Sequence, residues 1–385
     1  MLVLELVATV RELCAFESRA PCSDAERRAA GWLRAGLERR GHDAWEEPVW
    51  IRPQWPATLL SHAALAVLAS VLSLSAPAVA LGLALVTAAS LGLEASGRSS
   101  PLRLGIRRRA TQMVTTEPAE PDGVTLLICA AYDAPRRGLV FGGAFRRLAA
   151  RAPRWAPGFL GWMVAATLAV AAAATVRLAT GEDPLWLGVV QFVPTVGLLL
   201  ALAAAADVAL SGVSPGANET ASGVAVALAL HEALSAEPPG QLSPALLLAG
   251  AGEGIPPVAV RAHLRAERLD PQRVVLLELG ACGAGAPALA TRHPQLRAAA
   301  GQAGLKRVPL RRPTAVRAAR SLRLPAARLA CFDERGITPH ARQPTDTSDR
   351  VDPAAMQAAL AAALDVVAAL DEQLRRRDVE RASEG

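Results

Sequence analysis

Residues 57–94 read ATLLSHAALAVLASVLSLSAPAVALGLALVTAASLGLE, with no charged side chain before Glu94. One membrane-spanning helix needs about 20 apolar residues, so a run of nearly twice that length suffices for two. Ser75-Ala76-Pro77 near its middle fits a tight turn, which predicts spans at about 57–74 and 77–94. A second pair follows the same pattern. PGFLGWMVAATLAVAAAATVRLA covers about 157–178, a short polar loop holds Gly181, Glu182, Asp183 and Pro184, and LWLGVVQFVPTVGLLLALAAAADVALSG covers about 185–211. Pro194 can kink a span without preventing it. Asp207 lies near the far end, where a charge costs less than at the centre.

Hydrophobic residues make up 52% of the 385 and aromatic ones only 4%, so the apolar mass is Ala, Leu and Val, gathered into these runs. The formal charge of +6 is carried mostly by Arg. A nucleic-acid surface interleaves basic residues with polar and aromatic ones. Here the Arg clusters flank apolar runs instead, and no nucleic-acid partner is expected. Arg98, Arg103, Arg107, Arg108 and Arg109 follow the first pair, and Arg146, Arg147, Arg151 and Arg154 precede the second. Basic flanks stay on the cytoplasmic side, so both pairs are expected to be hairpins whose soluble flanks share that side. This predicts a multi-pass protein of the cell (inner) membrane, with the lipid bilayer as its first partner. The five Cys are odd in number and form no CxxC pair, which agrees with a reducing compartment. The start, MLVLELVATVRELCAFESRA, has no basic n-region and carries Glu5, and reads as an amphipathic helix rather than a cleavable signal.

The rest is expected to form one α/β domain from 1–56, 95–156 and 212–385, interrupted by hairpins at 57–94 and 157–211. SDAERRAAGWLRAGLERRGH has a helix start at Ser23-Asp24 and a stop at Gly41. DAWEEPVWIRP alternates as a strand does, and ATQMVTTEP and VTLLICAAYDAP read as strands around the turn Glu120-Pro121-Asp122-Gly123. SPGANETASGVAVALALHEALS is a Gly-rich loop opening a helix, PALLLAGAG a buried strand and VAVRAHLRAER a helix. RVVLLELGACGAG and RLACFDERG read as strands, 353–377 as a long helix, and the tail RRRDVERASEG as solvated. Strands alternating with helices predict a mostly parallel sheet flanked by helices. Ligand sites in such sheets lie at the carboxyl ends of strands, where Ala131–Asp133, Gly252–Glu253 and Glu278 fall.

Four of these segments, in order, resemble the co-catalytic zinc exopeptidases, the family of bacterial aminopeptidases, glutamate carboxypeptidase and glutaminyl cyclase. SPGANETASGVA at 214–225 looks like the family's GADDNASG loop, and PTDTSDRVDP at 344–353 like its HTPxDTxDxxDP segment. CAAYDAP at 129–135 is similar to its GAHYDS strand end, and LLLAGAGEG at 246–254 to its strand ending in Glu-Glu. The resemblance covers about 1–52 and 110–375. It implies a site for two zinc ions held by His and carboxylate ligands, with a further Glu as base, where the ions activate a water.

Position by position, the resemblance puts Ala131 where the first His would be and keeps its neighbour Asp133. It puts Glu219 at the bridging carboxylate, Gly252 at the general base, Glu253 at a ligand, Glu278 at the second Asp and Arg342 at the last His. His340, two residues away, could serve only if the loop shifts. Carboxylates without His suit hard cations better than zinc. An Arg directed inward would repel a cation and pair with Glu219 or Glu253. No cofactor is therefore expected; if any binds, it is one or two divalent cations (Zn or Mn) on Glu219, Glu253 and Glu278. The first expectation is a non-catalytic membrane protein whose domain binds a peptide, a small ligand or another protein. The second is an active metal-dependent exopeptidase with a rearranged site of Glu219, Glu253, Glu278 and His340. The third is a structural or transport-associated membrane module. His42, His62, His231, His263 and His293 lack ligand spacing and are expected to be structural or solvated, with a polar contact between spans as the alternative for His62. GACGAGAP leads into no phosphate-binding helix, and Ser222 lacks a His–Asp partnership.

Overall fold

The structure is a computed structural model that describes residues 2–118, 120, 123–143, 145–147, 158–254, 257–310 and 314–384. Arg151, Arg154 and the Pro121-Asp122 half of the expected turn lie outside the described residues. The chain opens with helices α1 (Leu2–Ala15) and α2 (Asp24–Glu38). Leu6, Val10 and Leu13 form the buried stripe of α1. Ser23 caps α2 by accepting a hydrogen bond from the Glu26 N–H at 3.1 Å.

Eight strands make one sheet: β1 (Ala44–Ile51), β2 (Arg109–Thr116), β3 (Val124–Ala131), β4 (Leu242–Ala249), β5 (Val274–Leu279), β6 (Ala286–Thr291), β7 (Lys306–Arg307) and β8 (Ala326–Phe332). Their order across the sheet is β1-β2-β4-β3-β5-β8-β6-β7. The centre, β4-β3-β5-β8, is parallel, whereas β1–β2, β2–β4 and β6–β8 are antiparallel. The expected mostly parallel sheet is thus a mixed one. β2 and β3 do not form a hairpin, because β4 lies between them. Such strands read as continuous apolar runs because both faces are covered. Leu246 and Leu248 of β4 face one core, with α1, α2, α7 (Ser222–Ala236), α9 (Pro294–Gln302) and α11 (Pro353–Glu384). Leu247 and Ala249 face the other, with α8 (Val258–Ala266) and α10 (Ala315–Ser321). The long last helix runs through Glu384, beyond the expected 377.

Four helices occupy the four long apolar runs: α3 (Trp55–Leu72), α4 (Pro77–Ala95), α5 (Phe159–Thr180) and α6 (Leu185–Leu210). They pack in the cyclic order α3-α4-α5-α6. Among the described residues, five helices are long and apolar enough to cross a membrane, these four and the Pro353–Arg377 part of α11. α11 buries its apolar side, Met356 to Leu370, in the sheet domain's core. The other four are inverted relative to a soluble bundle. Small residues fill their interior: Ala63, Ala66 and Ala69 on α3, and Ala80, Ala84 and Ala88 on α4. Large ones point outward: Val86 is 69% exposed, Val193 72% and Leu200 67%. Small residues let helix backbones approach closely where solvent gives no hydrophobic reward for burial.

The α7–β5 packing yields a test. A Cβ at Gly223 would lie 2.3 Å from the Gly280 carbonyl oxygen and 2.7 Å from that of Leu279. Backbone cannot yield cheaply, so Gly223→Ala should cost about 1–3 kcal/mol. Gly301→Ala, with open space around it, should be neutral. Thermal unfolding of the two detergent-solubilised variants compares them; equal stability would show that α7 does not pack this tightly.

Candidate functional site

Gly216 begins the site. Its φ of +72° is left-handed, and a Cβ there would meet Thr220 Oγ1 at 2.9 Å. The chain then makes a π-helical turn, Ala217–Ala221, which presents Asn218 and Glu219. Asn218 ties two loops together: its Oδ1 accepts from Gly283 N–H at 2.7 Å and its Nδ2 donates to the Pro339 carbonyl at 2.7 Å. Ser222 Oγ donates to the Asn218 carbonyl and accepts from Cys282 N–H. Ser222 and the Gly280–Gly285 stretch are therefore framework for this turn, not a nucleophile and a phosphate loop. Asp346 accepts from the N–H groups of Asn218 (2.6 Å) and Glu219 (3.2 Å). Burial pushes the Asp346 carboxyl up to about 7, against the pull of the Asn218 N–H.

On the other side, β3 ends at Ala131 and β4 is followed by a tight turn with Ala251 at φ +50°. Asp133 Oδ1 accepts from Gly252 N–H at 2.8 Å and Glu253 N–H at 3.2 Å, which fixes where Glu253 points. Burial, then the Glu253 charge, raises Asp133 to about 7. Beyond it, Glu26 of α2 accepts from the N–H groups of Cys22 and Ala251, both at 2.7 Å. Burial, then the Asp133 charge, raises Glu26 to about 8. A Cβ at Gly252 would lie 2.7 Å from the Ala131 Cβ, so the two small residues fill each other's space.

Arg342 joins the two sides. Its Nε is 3.3 Å from Glu219 Oε1, and its Nη2 is 3.0 Å from Glu253 Oε2 and 3.1 Å from the Glu253 carbonyl. The Arg342 and Glu219 side chains are only 2% and 1% exposed. Arg342 has φ +57°, uncommon for a side chain of this size. Its guanidinium carbon lies 5.0 Å from the Phe141 ring centre and 5.9 Å from that of Trp55. Buried cations are stabilised by aromatic faces at such distances. Gln343 Nε2 donates to the Phe141 carbonyl at 3.2 Å, fixing the same segment.

The remaining expected positions have other partners, although Arg328, which pairs with Glu278, also feels the charges of Glu253 and Glu219. Glu278 Oε1 is 2.6 Å from Arg328 Nη1, its register partner on β8, and its Oε2 accepts from Val316 N–H at 3.0 Å. It is engaged there rather than shared with Arg342. His340, at φ +58°, bonds Thr345 Oγ1 at 3.1 Å through Nδ1. Arg328, Asp346 and Glu26 were missed as site residues. Asp346 lies inside the PTDTSDRVDP segment and could have been singled out; nothing in the sequence marks Glu26 or Arg328.

His62 is buried between α3 and α4, with Nδ1 at 2.7 Å from the Thr58 carbonyl and Nε2 at 2.8 Å from Ser90 Oγ. His42 bonds Glu232 at 3.0 Å and packs edge-on against His231. Among the described residues, one trio has ligand atoms all within 4.8 Å: Glu47, His263 and Glu267. It sits on β1 and α8, elements that carry none of the residues around Arg342. Sequence spacing hid it because Glu47 comes from a distant strand.

No protein-family model matches the chain, and no curated protein matches it. Solved structures do. A glutaminyl cyclase from Bacteroides thetaiotaomicron is 11% identical with a TM-score of 0.54, over 95% of this chain and 97% of that one. A Zn-dependent exopeptidase from Parabacteroides distasonis is 11% identical with a TM-score of 0.53, over the same shares. A glutaminyl cyclase from Porphyromonas gingivalis is 13% identical with a TM-score of 0.53, over 96% and 98%. The chain has a zinc-exopeptidase-like fold.

Breaking a buried ion pair by removing one partner costs about 3–5 kcal/mol, because the other charge is left uncompensated. Arg342→Met should destabilise by that amount. Adding Glu219→Gln and Glu253→Gln to it should recover most of the loss. Thermal melts of the single and triple variants decide; a triple variant no better than the single would mean the three groups are not one electrostatic unit.

Proposed function

We propose that this is a multi-pass membrane protein whose zinc-exopeptidase-like domain, on the cytoplasmic side, acts by binding a peptide or protein ligand rather than by hydrolysis. The observation that carries the non-catalytic part is Arg342 placed between Glu219 and Glu253. The fold's relatives imply a metal, and the donor set here does not fit one. Two of the three carboxylates expected to hold it already compensate one guanidinium, which would repel a cation at short range. The third, Glu278, compensates Arg328. Imidazole is missing at Ala131 and Arg342, and His340 is turned to Thr345. A base at position 252 would have to displace Ala131. The rival reading, an active exopeptidase with a rearranged site, needs Glu278 and His340 to leave these partners together.

Metal analysis of the purified full-length protein, with aminopeptidase assays across Zn, Mn and Co, tests this. Substoichiometric metal and no chelator-sensitive hydrolysis are expected. Stoichiometric metal with hydrolysis abolished by chelator would establish the exopeptidase reading instead.

Support for the membrane part is the inverted packing of α3–α6, with Ala inside and Leu, Val, Phe and Trp outside. Exposed apolar surface on this scale marks an interface with lipid or with another protein. Many polar groups of the bundle bond one another, although Thr87 Oγ1 and Arg177 Nη2 are buried without a hydrogen bond. Gln191 Nε2 donates to the Ser70 carbonyl at 2.9 Å and to Ser73 Oγ at 2.9 Å, and Arg177 Nε donates to Asp183 at 2.7 Å. That is what buried polar groups in hydrocarbon require, and it favours an anchor over a transport module. Orientation rests on the Arg placement. A reporter inserted after Glu182 should be active outside the cytoplasm, and one after Gly385 inside it; the same side for both would sink the hairpin reading.

A further inference from the structure

The sheet domain carries a group of arginines beside the end of α4. Arg317 of α10 donates through Nη1 to the carbonyl of Ala95, the last residue of that helix. Arg98 follows three residues on, and Arg261 of α8 donates to Ser321 Oγ at 2.9 Å at the end of α10. Burial, then Arg98 and Arg265, lower the pKa of Arg261; burial, then Arg320 and Arg292, lower that of Arg317. Arg98 and Arg265 are thus near enough to repel Arg261, and Arg292 and Arg320 are near enough to repel Arg317. The Arg261–Ser321 bond joins the two groups of arginines at the end of α10. None of them is in an ion pair among the described residues, although the chain forms many such pairs elsewhere. The neighbouring acids Glu267, which follows α8, and Glu47 of β1 converge on His263 instead of pairing with these arginines. Arg98, Arg265, Arg292 and Arg320 are exposed.

We propose that Arg98, Arg261, Arg265, Arg292, Arg317 and Arg320 form a docking face for the phosphate headgroups of anionic lipids. The inference rests on the membrane-spanning reading of α3–α6. The occupant follows from position. α4 has 19 residues, about 28 Å at 1.5 Å per residue, which matches the ~30 Å hydrocarbon layer. Arg317, bonded to its last carbonyl, therefore lies at headgroup depth. Planar guanidinium donors suit phosphate oxygens, and clusters of four to eight basic residues just cytoplasmic of a span bind acidic lipid. Like charges held together without a carboxylate are compensated when the bilayer supplies the anion.

The full-length protein in mild detergent is titrated with phosphatidylglycerol or phosphatidylcholine, and bound lipid is counted by native mass spectrometry. Wild type should bind phosphatidylglycerol at least tenfold more tightly. R261Q/R265Q/R320Q should weaken that binding roughly a hundredfold at low salt, with phosphatidylcholine unchanged. Since Arg261 also bonds Ser321, R98Q/R265Q/R320Q, which keeps that bond, must show a comparable loss. R11Q/R39Q/R40Q removes the same charge from the α1 and α2 region and should leave binding intact. Equal loss in this control, no lipid preference in wild type, or full displacement by millimolar glycerol 3-phosphate would each overturn the proposal. Alkaline carbonate extraction separates the premises. Wild type released from membranes defeats the membrane-spanning reading and the docking face with it. Wild type retained, yet without lipid preference, defeats the docking face alone.

Discussion

Two buried carboxylates facing one another need a positive charge, and here Arg342 supplies it. The cost of desolvating three ionic groups is offset only when geometry is good and other polar contacts are made. Arg342 meets this in part, with two carboxylates, one carbonyl and two aromatic faces, while its Nε and Nη1 are buried without a hydrogen bond. The segments it joins are far apart in sequence. Glu219 comes from the π-helical turn, Glu253 from the loop after β4, Trp55 from the first residue of α3, and Phe141 from the segment ahead of α5. The chain thus uses one guanidinium to close its strand ends and to seat both helical hairpins on them. A site of this composition acts as a structural joint.

The seating is reinforced on both sides. At the end of α4, Glu94 receives Arg103 through both oxygens, at 2.8 and 2.9 Å, and both side chains are almost wholly buried. Arg103 also donates to the Arg52 carbonyl at 2.9 Å, just ahead of α3. Near the end of α6, Asp207 accepts from Leu139 N–H at 2.6 Å, and Arg136 donates to the Ser211 carbonyl at 3.0 Å. The first hairpin is therefore clamped where it leaves and re-enters the sheet domain, and the second where α6 ends. The clamps use charged groups where the apolar bundle meets the sheet, so they set orientation as well as attachment.

Much of this was legible in the sequence, and the reasons are local. The apolar runs gave the four bundle helices because hydropathy needs no partner to be read. β3, β4 and β5 were found because continuous apolar stretches mark strands covered on both faces. β6, reading APALAT, was missed because Ala and Pro carry little strand signal, and β7 has only two residues. The parallel centre was expected, but the order of strands and the antiparallel pairings of β1–β2, β2–β4 and β6–β8 were out of reach. The insertion of β4 between β2 and β3 depends on tertiary pairing, as does the register that sets Glu278 beside Arg328. At the site, the resemblance pointed position by position to Ala131, Glu219, Glu253 and Arg342, and the structure brings Glu219, Glu253 and Arg342 together. The aromatic faces around Arg342 could not be read in this way, since Trp55 and Phe141 lie in the segments least like a peptidase.

The placement of the hairpins also imposes an order in time. β1 is synthesised before α3 and α4, but β2, its pairing partner, comes after them. β3 is complete before α5 and α6, yet both its neighbours, β4 and β5, are made later. The central strand must wait, both edges unpaired, while more than a hundred residues leave the ribosome. An apolar strand in that condition invites pairing with other chains. Early capture of the first hairpin by a bilayer would hold each nascent copy apart from its neighbours until β4 arrives. The anchor would then guard the growing sheet against aggregation before it serves any purpose in the finished protein.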